Sequence, residues 1–202
     1  MRRAALFLAL CFTLAACGAE RIWAPDEEVQ RATYRHDAPP SITLITVISN
    51  RNGSGGHSAL LINGSERVVW DPAGTWWHPY SPERNDLHHG ITPQLEVHYI
   101  DYHARDTHHV VTQKVEVPLH VADRAILSAK NYGAVPKAFC AQSTSEILKG
   151  LPGFGHTPTT LRPKRIMAVF DEKPGVERLE FFDDSPANNK AMLADAAAQG
   201  QT

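Results

Sequence analysis

The nine residues Ser41–Ser49, SITLITVIS, constrain the fold more than any other stretch of this chain. They are rich in β-branched residues and carry apolar side chains on both faces, which suits a central strand buried on both sides of a sheet. Turn-forming residues follow at 50–56. Residues 57–62 and 66–70 then make a hairpin around Asn63-Gly64. Residues 110–117 alternate as a strand and 178–182 as a short edge strand. Thr92-Pro93 opens a helix that continues through Leu95, Tyr99, Ile100 and Tyr102. A second helix over 121–130 puts Ala122, Ala125, Ile126 and Ala129 on one face and ends at Asn131-Tyr132-Gly133. Cys140–Lys149 reads as a third helix, stopped by Gly150 and Pro152, and 165–170 is helical. Residues 71–90 show no clear period but hold Trp76, Trp77 and Tyr80. No internal repeat is present.

The first 16 residues have the pattern of a targeting segment. Arg2 and Arg3 precede an apolar stretch too short to span a bilayer as a mature helix. That stretch closes on Leu14-Ala15-Ala16-Cys17, followed by Gly18, and this resembles the lipobox of bacterial lipoproteins. The resemblance implies that Cys17 becomes the lipidated first residue. The mature protein would then be anchored to a membrane rather than spanning it. Gly18 in place of Asp resembles the pattern that permits transfer to an outer membrane, so the expected location is its periplasmic face. The alternative is an ordinary secretory signal with Cys17 incidental.

The chain then divides into a signal peptide (1–16), a polar tether ending in Pro39-Pro40 (17–40), one globular domain (41–184) and an alanine-rich, disordered tail (185–202). Cys11 leaves with the signal and Cys17 is consumed by lipid. Cys140 is the one free thiol that remains, so no intramolecular disulfide can form. Loss of Arg2 and Arg3 leaves 18 basic against 22 acidic residues, a net charge of −4 with His neutral. Neither that balance nor any basic run suits nucleic acid.

Cys140 enters its helix in line with Ser143, Thr144, Ile147 and Leu148, so it points toward the body of the protein. A helix N-terminus offers partial positive charge and unpaired N–H groups, which favour a thiolate and can serve an oxyanion. Two plainer readings compete. The cysteine is a small buried hydrophobe, or Ser143-x-x-Glu146 is a capping box that starts the helix after it. His57 follows Gly53, Gly55 and Gly56 at the mouth of a strand, where the glycines permit close backbone approach. A two-residue hairpin loop places Trp70 opposite His57; a three-residue loop, Asn63 to Ser65, places Asp71 there. An Asp facing the ring would orient it as a base; otherwise Asp71, before Pro72, starts a turn.

Gly-Gly-His57-Ser-Ala-Leu on a strand, a polar residue on the next strand and Cys140 at a later helix start resemble the circularly permuted papain-like enzymes. These are relatives of the NlpC-type cysteine peptidases and include the lecithin:retinol acyltransferase branch. The resemblance covers roughly residues 42–170. It implies an α+β fold in which an antiparallel sheet packs against a helix bearing the catalytic cysteine. It also implies Cys140 as nucleophile, His57 as base and a third polar residue at or near Asp71, where the family more often has His, Asn or Gln. Tyr132 lies near the cysteine helix in sequence and could add a hydroxyl.

The expected activity is that of a membrane-anchored thiol hydrolase or acyltransferase, acting on an amide or ester of cell-wall peptide or lipid through an acyl-Cys140 intermediate. It would need no cofactor, and its partners would be the membrane, through the N-terminal lipid, and the substrate. The alternatives are an inactive binding module or a structural lipoprotein of the same fold. His88-His89, His98, His103 and His108-His109 form a dense stretch, but no HExxH or paired CxxC spacing accompanies it, so no metal is assigned.

Overall fold

In a computed structural model describing residues 18–200, seven antiparallel strands form one sheet with helices against both faces, an α+β architecture. The elements are α1 (Asp26–Ala32), β1 (Ser41–Ser49), β2 (Gly55–Asn63), β3 (Arg67–Trp70), β4 (Glu83–Arg84), β5 (Leu87–His89), α2 (Pro93–His103), β6 (His108–Glu116), α3 (Leu119–Tyr132), α4 (Cys140–Lys149), α5 (Pro163–Asp171), β7 (Glu177–Phe181) and α6 (Lys190–Gln199). Strand order is β4-β5-β3-β2-β1-β6-β7, so β1 runs between β2 and β6 as its two-faced apolar pattern requires. Residues 1–17, with the signal peptide and Cys17, lie outside the described residues. No described helix is long and apolar enough to cross a membrane.

Alternation along the strands splits the interior into two cores. Ile42, Leu44, Leu60, Ile62 and Trp70 point to one face, where α3, α4 and α5 bring Ile126, Leu148, Ile166 and Phe170. Ile45, Val47, Leu61 and Val69 point to the other, against Trp76 and the Leu95, Tyr99 and Tyr102 of α2. Thr92 caps α2 by accepting from the Leu95 N–H at 3.3 Å, with Pro93 at the first helical position. Gly133 closes α3 at φ 85.

The structure departs from expectation at both ends of the domain. The alanine-rich tail forms a helix, α6, whose Met192 and Leu193 pack on the second core. Alanine is the strongest helix former, and packing holds what propensity begins. Residues 18–40, expected as a tether with some local structure, are held against the domain. The Ala24 N–H donates to the Glu83 carbonyl and the Asn85 N–H to the Ile22 carbonyl, both at 2.9 Å, fastening the segment along β4. Strands β4 and β5 were not legible in the sequence because two and three residues are too short to display a period.

Candidate active site

His57 projects from β2 beside a bulge. Val47 pairs with His57 and Ile48 with Gly55, so Gly56 is the extra residue that bends the strand end. Gly55 permits a close approach of helix α5, since a Cβ there would lie 2.9 Å from that of Pro163. The β2–β3 loop holds three residues, 64–66, with Asn63 opposite Arg67. The register is thus two residues away from the predicted one. A shift of two preserves the face, so Asp71, just past the end of β3, reaches His57 diagonally rather than squarely.

Asp71 Oδ1 lies 2.6 Å from His57 Nε2 and also accepts from the Tyr99 hydroxyl at 2.7 Å. The carboxylate is 1% exposed. Burial alone would raise its pKa, but the charge and hydrogen bond of His57 hold it well below the usual carboxylate range. His57 carries the complementary shift. Burial pushes it down, and Asp71, followed by a hydrogen bond to Cys140, pushes it up to about 10. With Nε2 engaged by Asp71, Nδ1 is the ring nitrogen left to face the sulfur.

Cys140 is the first residue of α4, which begins there and not at Ser143; the Ser143 hydroxyl donates to the Cys140 carbonyl within the helix. Burial raises the thiol pKa, yet His57 and the backbone N–H groups of Ser58 and Ala141 outweigh it and hold the thiol below its ordinary value. The structure therefore pairs His57 with Asp71 in a hydrogen bond and sets the Cys140 thiol close enough to His57 for each to shift the other's titration. Tyr132 is not part of it: its hydroxyl donates to Glu146 and its ring packs on Trp70.

Three residues of the site escaped the sequence reading. Tyr99 and His103 are one turn apart on α2, and the i, i+4 spacing was the available signal. His103 Nδ1 sits 2.9 Å from the Tyr99 carbonyl, and burial pushes this ring down to about 4. The third is Asp86, in the two-residue turn Asn85-Asp86 between β4 and β5, where both residues have positive φ (48 and 67). An Asn-Asp pair is a type I′ turn signal. Asp86 accepts from the Val135 N–H at 2.7 Å, while its carbonyl accepts from the Asp71 N–H at 2.8 Å. It ties the Asp71 turn to the loop that delivers Cys140.

Two clefts flank the site and share Ala73, Gly74 and Thr75 between them. One, of about 420 Å³, is lined by Asp71, Trp76, Glu83, Asp86 and His88. The other, of about 280 Å³, is lined by His57, His103, Arg105 and His108. His57, Asp71 and His103 also bring one donor atom each within 4.8 Å of one another, a spacing open to a metal ion. His88 and His89 are only 2% exposed, so that pair of the dense histidine stretch is interior, while His98, His103, His108 and His109 are partly exposed. No protein family, curated protein or solved structure matches this chain.

Proposed function

We propose that this protein is a thiol hydrolase or acyltransferase with a permuted papain-like arrangement, anchored to the periplasmic face of a bacterial outer membrane through lipidated Cys17. The observation that carries the reading is the His57–Asp71 pair, 2.6 Å apart and buttressed by Tyr99, with Cys140 beside it at the first position of α4; the lowered thiol and raised imidazole pKa accord with that placement. Cys140 Sγ attacks an amide or ester carbonyl, and the unpaired N–H groups of the first turn of α4 receive the oxyanion. His57 gives its proton to the departing amine or alcohol, leaving an acyl-Cys140 thioester. His57 then takes a proton from water, or from an acceptor hydroxyl or amine, as that group attacks the thioester. Collapse of the resulting intermediate breaks the C–S bond, releases the acid or the transferred acyl product, and leaves the Cys140 thiolate beside protonated His57, the resting pair. Cell-wall peptide and lipid acyl groups are the two substrate classes within reach of such an anchored enzyme.

A second reading, a binding module that keeps the fold without turnover, is favoured by one observation: Cys140 is 8% exposed and lines neither cleft. Limiting iodoacetamide across a pH series, read by mass spectrometry, separates the two. An activated Cys140 alkylates well below pH 8 in the folded protein and slows sharply in a His57→Ala variant. A cysteine that reacts only after denaturation overturns the enzyme reading. For the anchor, Cys17→Ser releases the protein from membranes; a variant that still fractionates wholly with membranes in high salt overturns the lipoprotein assignment.

A further inference from the structure

We propose that the cavity beside Asp71 is a binding site for an alkylammonium group carried by the substrate. The proposal rests on the enzyme reading for the word substrate, but the binding itself can be measured without turnover.

Asp71 uses only one of its oxygens in the catalytic chain. Oδ1 faces His57 and Tyr99, while Oδ2 is buried without any hydrogen-bond partner. Asp71 lines the 420 Å³ cavity, and so does His88, 2% exposed, whose Nδ1 is likewise unpartnered. The other ring nitrogen of His88, Nε2, lies 4.0 Å from Glu83 Oε2. A carboxylate oxygen such as Oδ2 can only accept, and a buried acceptor left bare is costly, so the native arrangement calls for a donor beside Asp71. Gly74 keeps the approach to Asp71 open, because a Cβ at that position would lie 1.9 Å from Oδ2.

The surrounding charge favours a cation. Glu83, Asp86 and Glu20 join Asp71 in the lining, against a single cation, Lys137. Asp71 already has His57 as ion-pair partner on its Oδ1 side, but burial, then repulsion from neighbouring carboxylates, still pushes Glu83 up to about 7 and Asp86 up to about 6, so a further cation would be favoured there. Trp76 and Trp77 are among the lining residues, and an indole attracts an organic cation. The cleft on the other side of His57 contains no carboxylate among its lining residues and presents His103, Arg105 and His108. The site is therefore polarised, and the ammonium end of a substrate belongs on the Asp71 side.

A bare metal ion fits less well. Among the described residues, the one trio of potential ligands that closes to within 4.8 Å is His57, Asp71 and His103; the cavity carboxylates are more widely spread. One oxygen of Asp86 is occupied by the Val135 N–H, and Glu83 Oε1 by the Asp86 N–H. Divalent calcium and magnesium demand six or more oxygens at short range. An ammonium group on a carbon chain needs fewer acceptors and more room.

The experiment uses Cys140→Ala protein and follows the indole N–H signals of Trp76 and Trp77 by NMR. The probes are alanine amide, for a peptide amine, phosphoethanolamine, for a lipid headgroup, N-acetylalanine amide as the neutral control, and calcium chloride. Saturable shifts with either amine and none with the acetylated control support the site, and the better amine identifies the source. Glu83→Gln weakens that binding about tenfold, the scale of one charge-assisted contact. Equal response to the acetylated control, silence with both amines, or response to calcium alone overturns the proposal. Amine binding combined with an unreactive wild-type Cys140 would leave the site standing and sink only the enzyme reading.

Discussion

The imidazole of His103 lies parallel to that of His57, with 5.7 Å between ring centroids and 3° between planes. Only one of the two is built to carry a proton. His57 contacts Asp71 directly and is raised, whereas His103, whose Nδ1 meets the Tyr99 carbonyl, is lowered to about 4 by burial first and by the neighbouring His57 charge. A carbonyl only accepts, so the neutral His103 ring holds its proton on Nδ1.

Removal of His57 reverses this order. In His57→Ala, Asp71 keeps its charge and His103 is the nearest ring able to answer it, free of the repulsion that lowered it. The expected outcome is a His103 titration midpoint that moves up by at least about one unit, read by NMR of labelled histidine. A midpoint that stays near 4 would show that burial alone governs the ring.

Tyr99→Phe isolates the second support of Asp71. The phenol is fully buried, its pKa is raised by that burial, and it therefore remains a donor to Oδ1. Its loss removes a charge-assisted bond without altering the ring packing against Trp76. The expected cost is about 1.5–3 kcal/mol, seen as a lower denaturant midpoint at unchanged slope. A midpoint within experimental error of wild type would mean that water replaces the hydroxyl.

What was legible in the sequence follows the range of the signals. The two-faced apolar run of β1, the Thr92-Pro93 start of α2 and the inward phase of Cys140 are local patterns, and local patterns read directly. Asp71 was legible by parity, because a register change of two leaves the face of a strand residue unaltered, although its partner at the level of His57 was not. Asp86, Tyr99 and His103 reach the site through tertiary packing of segments whose own patterns look ordinary. Tyr99 reads as a core residue of α2, and His103 as one histidine among many. The α6 tail was missed for a different reason: an alanine-rich polar segment has helix propensity, but only the surface formed by Tyr102 and Arg105 gives it something to dock on. The Asn189 amide donates to the Tyr102 carbonyl at 2.9 Å, and the Arg105 Nε donates to Asn189 at 2.6 Å.

Glu83 yields a pH-dependent stability prediction. Its folded pKa is raised to about 7, by burial first and then by Asp86, Asp71 and Glu20. An unfolded glutamate titrates near about 4.3, so the ionised carboxylate disfavours the fold above pH 7, and that cost fades as pH falls toward 4.3. Glu83→Gln removes the charge yet keeps an oxygen for the Asp86 N–H. The variant should melt higher than wild type at pH 8, with the difference shrinking toward pH 5. A difference independent of pH would assign the effect to packing instead.

Asp71→Asn tests the electrostatic heart of the site. With the carboxylate present, His57 holds its proton to about pH 10, and the imidazolium in turn favours the Cys140 thiolate. The sign of the linkage follows: the raised imidazole contributes stability that is complete below its unfolded pKa of about 6.5 and is lost as pH rises through the folded value. The depressed Asp71 contribution is complete above about 3.9 and is lost as pH falls through its lowered value. Asparagine is nearly the same shape but has no charge, so His57 falls back toward its ordinary range and the thiol rises. If the amide turns its NH₂ toward Nε2, that nitrogen becomes an acceptor, and the ring proton is forced onto the side of the sulfur. Both effects act in the same direction. The alkylation profile of Cys140 should shift by at least about one unit toward higher pH while the unfolding transition stays cooperative. An unshifted profile in a folded variant would mean that the helix N-terminus and the Ser58 and Ala141 N–H groups, rather than the Asp71–His57 pair, set the reactivity of the thiol.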